Sequence, residues 1–233
     1  MIQGDKKAQV VGALRHRVFL AGALPALAIA LCLCRGAAAQ EEAVSLSAEP
    51  LELMTEDRVK LEARLEKPTE WTAERGLAVV CHPHPLYGGN MHNAVSQSAR
   101  RALNEAGIAT IRLNFRGTGR SGGEHSAGVK EPLDVLAAVA YARDELKVES
   151  RRLALVGYSF GAAVTASALA RLPAEVAYAG IALPLHLKPD GDGWDGLMQP
   201  ERRVLLVAGG ADEIAPLARI AELAAERLGT TRV

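Results

Sequence analysis

The 233-residue sequence predicts an α/β protein built on a doubly wound, mostly parallel sheet. Three observations carry that expectation. Unbroken apolar runs at Leu77 to Cys81, Ile108 to Leu113, Leu153 to Val156, Val176 to Leu183 and Val204 to Ala208 mark strands buried on both faces. Helical stretches lie between them. Each run ends in a loop rich in Gly, Pro or His, where an open parallel sheet gathers its functional groups. With 49% hydrophobic residues, a chain of this length buries one sizeable core, so a single domain is expected. Basic and acidic residues number 27 each, which leaves no basic surplus for a nucleic-acid partner.

In chain order, residues 1–39 read as a secretory signal peptide. Lys6, Lys7, Arg15 and Arg17 precede an apolar run from Val18 to Cys34, and Ala37-Ala38-Ala39 offers a small-residue cleavage site before Gln40. The run is 17 residues long and contains Pro25, which is short for a bilayer span, so export with cleavage is expected over a retained anchor. Leucines before Cys32 and Cys34 speak against lipid attachment at either cysteine. The remaining domain, 40–233, is mildly acidic, with 22 basic and 26 acidic residues. It keeps Cys81 as its one cysteine, so no internal disulfide and no membrane span are expected after cleavage.

Val59, Leu61, Ala63 and Leu65 alternate with polar residues, the signature of a half-buried, antiparallel leading strand. Four helices are expected between the buried runs and after them. Asn93 to Ala106 places Val95, Ala99, Ala102 and Leu103 on one face, and Glu131 to Leu146 does the same with Leu133, Leu136, Ala137, Ala140 and Tyr141. Phe160 to Leu172 is small and apolar throughout, as a helix buried against a sheet must be, and Ile214 to Leu228 is amphipathic.

The chemistry points to Gly157-Tyr158-Ser159-Phe160-Gly161. The pentapeptide follows the apolar run Leu153–Val156 and leads straight into Ala162-Ala163-Val164-Thr165-Ala166, the strand-turn-helix setting of a nucleophile elbow. Small residues are needed two before and two after the serine so that strand and helix can approach, and both positions are glycine. The helix amino terminus behind Ser159 offers N–H groups to a developing oxyanion. A serine that merely caps the helix is the alternative.

Two further strings sit at strand ends: Cys81-His82-Pro83-His84-Pro85-Leu86-Tyr87-Gly88-Gly89 and Asn114-Phe115-Arg116-Gly117-Thr118-Gly119-Arg120-Ser121. Together with the elbow, and in this order, they give the chain a resemblance to the α/β-hydrolase superfamily over about Leu51 to Val233. It looks closest to small bacterial serine hydrolases akin to dienelactone hydrolases and dipeptidyl-peptidase-type domains. The resemblance implies a hydrolase of a small-molecule acyl substrate, an ester, thioester or amide, working through an acyl-enzyme on Ser159 without a cofactor. An acyl transferase is the same-fold alternative.

In that pattern the acid follows the seventh strand, which assigns it to Asp212, with Glu213 in reserve; Asp212 acting only as a helix cap is the bland reading. One oxyanion donor is the N–H of Phe160. The other comes from the loop after Cys81, where Pro83 and Pro85 have no N–H, so His84 is expected and Leu86 held in reserve. His82, His84 and His92 are spaced as a conceivable zinc set, but flanking prolines and the lack of a nearby acidic ligand argue for no metal. Gly117-x-Gly-x-x-Gly122 has the form of a dinucleotide loop, yet the residues after it continue a loop where a helix should begin, so a structural turn is expected. Cys81 reads as a strand-end core residue.

No histidine follows Asp212. The family's base follows an eighth strand, and Thr230-Thr231-Arg232-Val233 falls where that strand would start, so a C-terminally incomplete domain lacking the final strand and helix is expected. A base relocated to His125 or His186, and a catalytically dead binding protein, are the alternatives. The 19 residues from Pro184 to Arg202 leave little room for a cap domain; Trp194 and Leu197 are candidates for a small flap.

Overall fold

The computed structural model describes residues 45–187, 196–199, 201–210 and 212–227. The expected signal peptide, Trp194 and the Thr230–Val233 segment lie outside them. Seven strands form one sheet in the order β1-β2-β4-β3-β5-β6-β7. β3 (Leu77–Cys81), β4 (Ala109–Leu113), β5 (Leu153–Tyr158), β6 (Ala177–Ile181) and β7 (Val204–Val207) run parallel and coincide with the five apolar runs. β2 (Lys60–Pro68) is the antiparallel leading strand and buries Leu61, Ala63 and Leu65, as its alternation requires. Beyond it lies β1 (Leu46–Met54), an edge strand antiparallel to β2 and additional to the strands expected from the sequence.

Helices cover both faces. Ala78 and Val80 of β3 point toward α1 (Ala94–Glu105), packing with Ala99 and Leu103 in a small core. Leu77, Val79 and Cys81 point the other way, into a larger core shared with α2 (Glu131–Asp144) and α3 (Phe160–Ala168). Ile220 of α4 (Leu217–Arg227) joins this larger core. Every residue of α3 is buried, which accounts for its run of small side chains.

The face of α2 differs from the expected one. Glu131, Asp134, Val135, Ala138, Val139 and Ala142 are buried, Ala140 is exposed, and Leu133, Leu136, Ala137 and Tyr141 are half-buried. Two carboxylates lie on the buried face, so the apolar stripe alone misplaces it. A buried ion pair ties the sheet's antiparallel side: Arg112 donates from Nε and one Nη to Glu66, both at 3.1 Å, and from its other Nη to Met91 O at 2.6 Å. That bond fixes the loop ahead of α1 against β4.

Candidate active site

Ser159 sits at the end of β5 with φ 52° and ψ −119°, a left-handed conformation that a side chain adopts at a cost of roughly 1–3 kcal/mol. The surrounding backbone holds it there. Its N–H donates to Ile181 O at 2.8 Å, and its carbonyl accepts from Ala162 and Ala163, which starts α3. A Cβ at Gly157 would lie 2.3 Å from Gly161 O, and one at Gly161 would lie 2.5 Å from His82 O, so neither position accepts a side chain. Ser159 occupies the N-cap position of α3, but its side chain makes no capping bond. The bland capping reading therefore does not describe it: the hydroxyl is half-buried and uncommitted among the described residues.

The loop after β3 forms one wall. His82 is fully buried; its Nδ1 bonds Pro83 O at 2.7 Å, and its Nε2 accepts from the Phe115 N–H at 3.1 Å. Both nitrogens are used, so His82 is neither a metal ligand nor a base. Burial pushes its imidazole down to about 4. His84 caps the short 3₁₀ turn Pro85–Tyr87, its Nδ1 accepting from the Leu86 N–H at 3.3 Å. That bond commits the reserve donor, Leu86. By contrast, neither the His84 N–H nor the Phe160 N–H donates to another described residue, and the two rings touch at 4.7 Å between centroids. The structure thus brings together the two residues singled out as oxyanion donors and leaves both N–H groups open.

His125 closes this wall from below, with ring contacts to His84 at 4.9 Å and Phe160 at 5.4 Å. Its Nδ1 lies 2.9 Å from Glu131 Oε1. Glu131 is the first residue of α2. It is fully buried, accepting from Ser126 N, Ser126 Oγ and Gly128 N at 2.6–2.8 Å. Burial raises its carboxyl, but those bonds outweigh it and hold it below the usual range. Burial, and secondarily His125, holds the His84 imidazole below its ordinary value. The Gly117–Gly122 loop is a structural turn, closed by Gly117 N to Gly122 O at 2.9 Å and pinned to β2 by Gly122 N to Lys60 O at 2.8 Å. Helix α2 starts only at Glu131, so no helix follows that loop directly. Arg116, at 2% exposure, reaches Asp134 with its N–H, Nε and Nη at 2.7–2.9 Å and Asp57 with two Nη atoms at 2.8 and 3.1 Å. Its signal in the sequence was the Asn-Phe-Arg-Gly string, but neither partner is near it in sequence.

On the opposite side, the strand ends are level: Tyr158 pairs with Ile181 and Ile181 with Val207. The loop after β7 therefore rises beside the elbow with one strand between. Asp212 is half-buried there, and its Oδ1 accepts from Ile214 N and Ala215 N, both at 2.9 Å. It does cap the next turn, yet Oδ2 takes no hydrogen bond among the described residues. Glu213 is exposed. His186 is exposed on the loop after β6, between elbow and acid. No described histidine hydrogen-bonds Ser159. Leu197 is 1% exposed and packed in the core, so it is no flap. Buried Arg202 holds that segment down, bonding the carbonyls of Gly196, Leu169, Leu172 and Val176. Cys81 is fully buried, and burial pushes its thiol up. Among the described residues, no cluster of His, Cys, Asp and Glu could hold a metal ion.

Residues 72–188 match the family described as serine aminopeptidase, S33. The chain belongs to the α/β-hydrolase superfamily. The chain is similar to XC6422 from Xanthomonas campestris, described as a serine hydrolase without lid, with 32% identity and a TM-score of 0.65, covering 78% of this chain and 81% of that one. It is also similar to an α/β serine hydrolase homologue from Coxiella burnetii, with 29% identity and a TM-score of 0.66, covering 77% and 82%. A curated relative, uncharacterized protein RP471 of Rickettsia prowazekii, is 36% identical over 127 residues. The matched part spans about half the length of that relative, 52%. The esterase Pf2001 of Pyrococcus furiosus shares the fold at 20% identity.

Proposed function

We propose that this hydrolase cleaves an ester, thioester or amide through an acyl-enzyme on Ser159. The observation that carries the reading is the strained backbone of Ser159, held at φ 52° between two obligatory glycines with its hydroxyl uncommitted. Ser159 Oγ attacks the acyl carbonyl, forming the C–O bond as the carbonyl π electrons move to oxygen and the hydroxyl proton passes to water, which returns a proton to the leaving group. The N–H groups of Phe160 and His84 receive that oxyanion, a contribution of roughly 3–4 kcal/mol per donor in comparable sites. Collapse expels the alcohol, thiol or amine, and water then releases the acyl group. Asp212, through Oδ2, is the group that would orient a base and stabilise its cation.

A second reading, a binding protein on the hydrolase frame, is favoured by a specific observation: no described imidazole bonds Ser159. His82 is locked by its own bonds. His84 and His125 lie on the oxyanion side, whereas the proton of Oγ must leave from the other. Among the described residues no helix is long and apolar enough to cross a membrane. We propose export directed by residues 1–39, on their sequence pattern.

Hydrolysis of p-nitrophenyl acetate by the full chain tests the choice. The hydrolase reading expects turnover that disappears in Ser159→Ala with an unchanged thermal melt. Turnover equal in both proteins contradicts it, and a folded wild type with no turnover supports the binding protein. Ester formation when a primary alcohol is added at constant water marks a transferase.

A further inference from the structure

Five large hydrophobic side chains are well exposed among the described residues: Met54 at 54%, Leu86 at 73%, Tyr87 at 89%, Val129 at 63% and Ile214 at 62%. Isolated exposed apolar residues are ordinary; their placement here is not. Leu86 and Tyr87 follow β3, Val129 follows β4 and Ile214 follows β7, so these four lie on loops at the carboxyl ends of the parallel strands. Met54 ends β1 opposite Lys60, and β2 runs antiparallel to β4, which puts it at the same end of the sheet. The other end of the sheet exposes none among the described residues.

The four are tied to the site itself. Leu86 and Tyr87 ride on the 3₁₀ turn that His84 caps, with the Tyr87 ring 5.0 Å from His84. Val129 lies between Gly128 and Glu131, the segment held under His125. Ile214 N–H bonds Asp212. Charge supplies the second argument. Residues 76–99, which include the whole wall carrying His84, contain no Asp, Glu, Lys or Arg in a chain where those make up 23%. The wall itself offers an acyl group no charged side chain, whereas a hydrocarbon chain lying across it loses water from both surfaces.

We infer that this rim receives the hydrocarbon part of the acyl group, so that the substrate is an ester or thioester of an aliphatic acid. The inference rests on the hydrolase reading and adds the substrate class. The rim is open, so each methylene is only partly covered and the gain in kcat/KM is roughly twofold per methylene rather than the fourfold of full burial.

Rates on p-nitrophenyl acetate, butyrate, octanoate and decanoate, each below its micellar concentration, are compared for the full-length wild type and the Leu86→Ser/Val129→Ser double variant. Both positions are exposed, so the fold tolerates the changes. The wild type is expected to climb with chain length, and the octanoate-to-acetate ratio to fall about tenfold in the variant. A flat wild-type profile, or an unchanged ratio, overturns the inference. Binding of the fluorescent fatty acid 11-(dansylamino)undecanoate to Ser159→Ala, with and without the two rim changes, reads the rim without catalysis. A Kd raised about fivefold is expected, and an unchanged Kd overturns the inference. Rim-dependent binding with no turnover of any ester retires the hydrolase reading and keeps the rim. Acetate turnover with no rim dependence does the reverse. A wild-type dimer that the rim changes dissociate, with a flat ester profile, makes the rim a subunit contact and also overturns the inference.

Discussion

Ser159 and its two glycines were legible because the constraint is local: a left-handed turn between a buried strand and a buried helix leaves its mark within five residues. His82 was not, since its partners are a carbonyl of its own loop and an N–H of the next strand's loop. The sequence showed three nearby histidines; the structure separates them into a buried strut, a cap and an exposed side chain. The strut has a pH signature. In the folded protein the His82 imidazole is pushed from 6.5 down to about 4, while the unfolded chain takes up a proton on passing below the ordinary value. Its contribution to stability is therefore complete above about pH 6.5 and lost as pH falls toward 4, about 3 kcal/mol in all. Urea unfolding of the wild type and His82→Gln measures this. The stability gap between them is expected to narrow by about 2 kcal/mol between about pH 7.5 and about pH 4.5. A gap of constant size contradicts a neutral, buried His82.

The five parallel strands were readable as elements because strands covered on both faces must be apolar throughout. β1 was missed because Pro50 and mostly exposed side chains break the strand pattern; both are tolerated at a sheet edge, where one side needs no hydrogen-bonded neighbour. The face of α2 was misassigned because Glu131 and Asp134 are buried for what they bind. Asp134 anchors α2 to the loop after β4 through Arg116, with 0% and 2% side-chain exposure for the pair. Removing Asp134 leaves the buried Arg116 with its Nε and N–H unpaired and only the partly exposed Asp57 against its charge, so Asp134→Ala is expected to cost about 3 kcal/mol. Asp57, the other partner, is 32% exposed, and Asp57→Ala is expected to cost no more than about 1 kcal/mol. Denaturant midpoints at constant m-value give both numbers. Equal losses would show that burial does not set the weight of the two ion pairs.

Across the whole molecule, sheet order decides where chemistry is possible. β5 lies between β3 and β6, so the elbow has the His84 wall on one side and the Asp212 loop on the other, all at one end of the sheet. The sequence showed the motifs and their order. It did not show that His125 and Glu131 stand behind the His84 wall, because the 117–131 loop folds back through contacts set by Glu131 rather than by any spacing. The proposed chemistry needs Ser159 as a nucleophile served by an oxyanion hole. A biotinylated alkyl fluorophosphonate, incubated with the folded full-length chain and mapped by peptide mass spectrometry, decides it. The expected result is one phosphonylated peptide, labelled at Ser159 and lost both on prior heat denaturation and in Ser159→Ala. No label on the folded chain, or a label that persists in Ser159→Ala, contradicts the account.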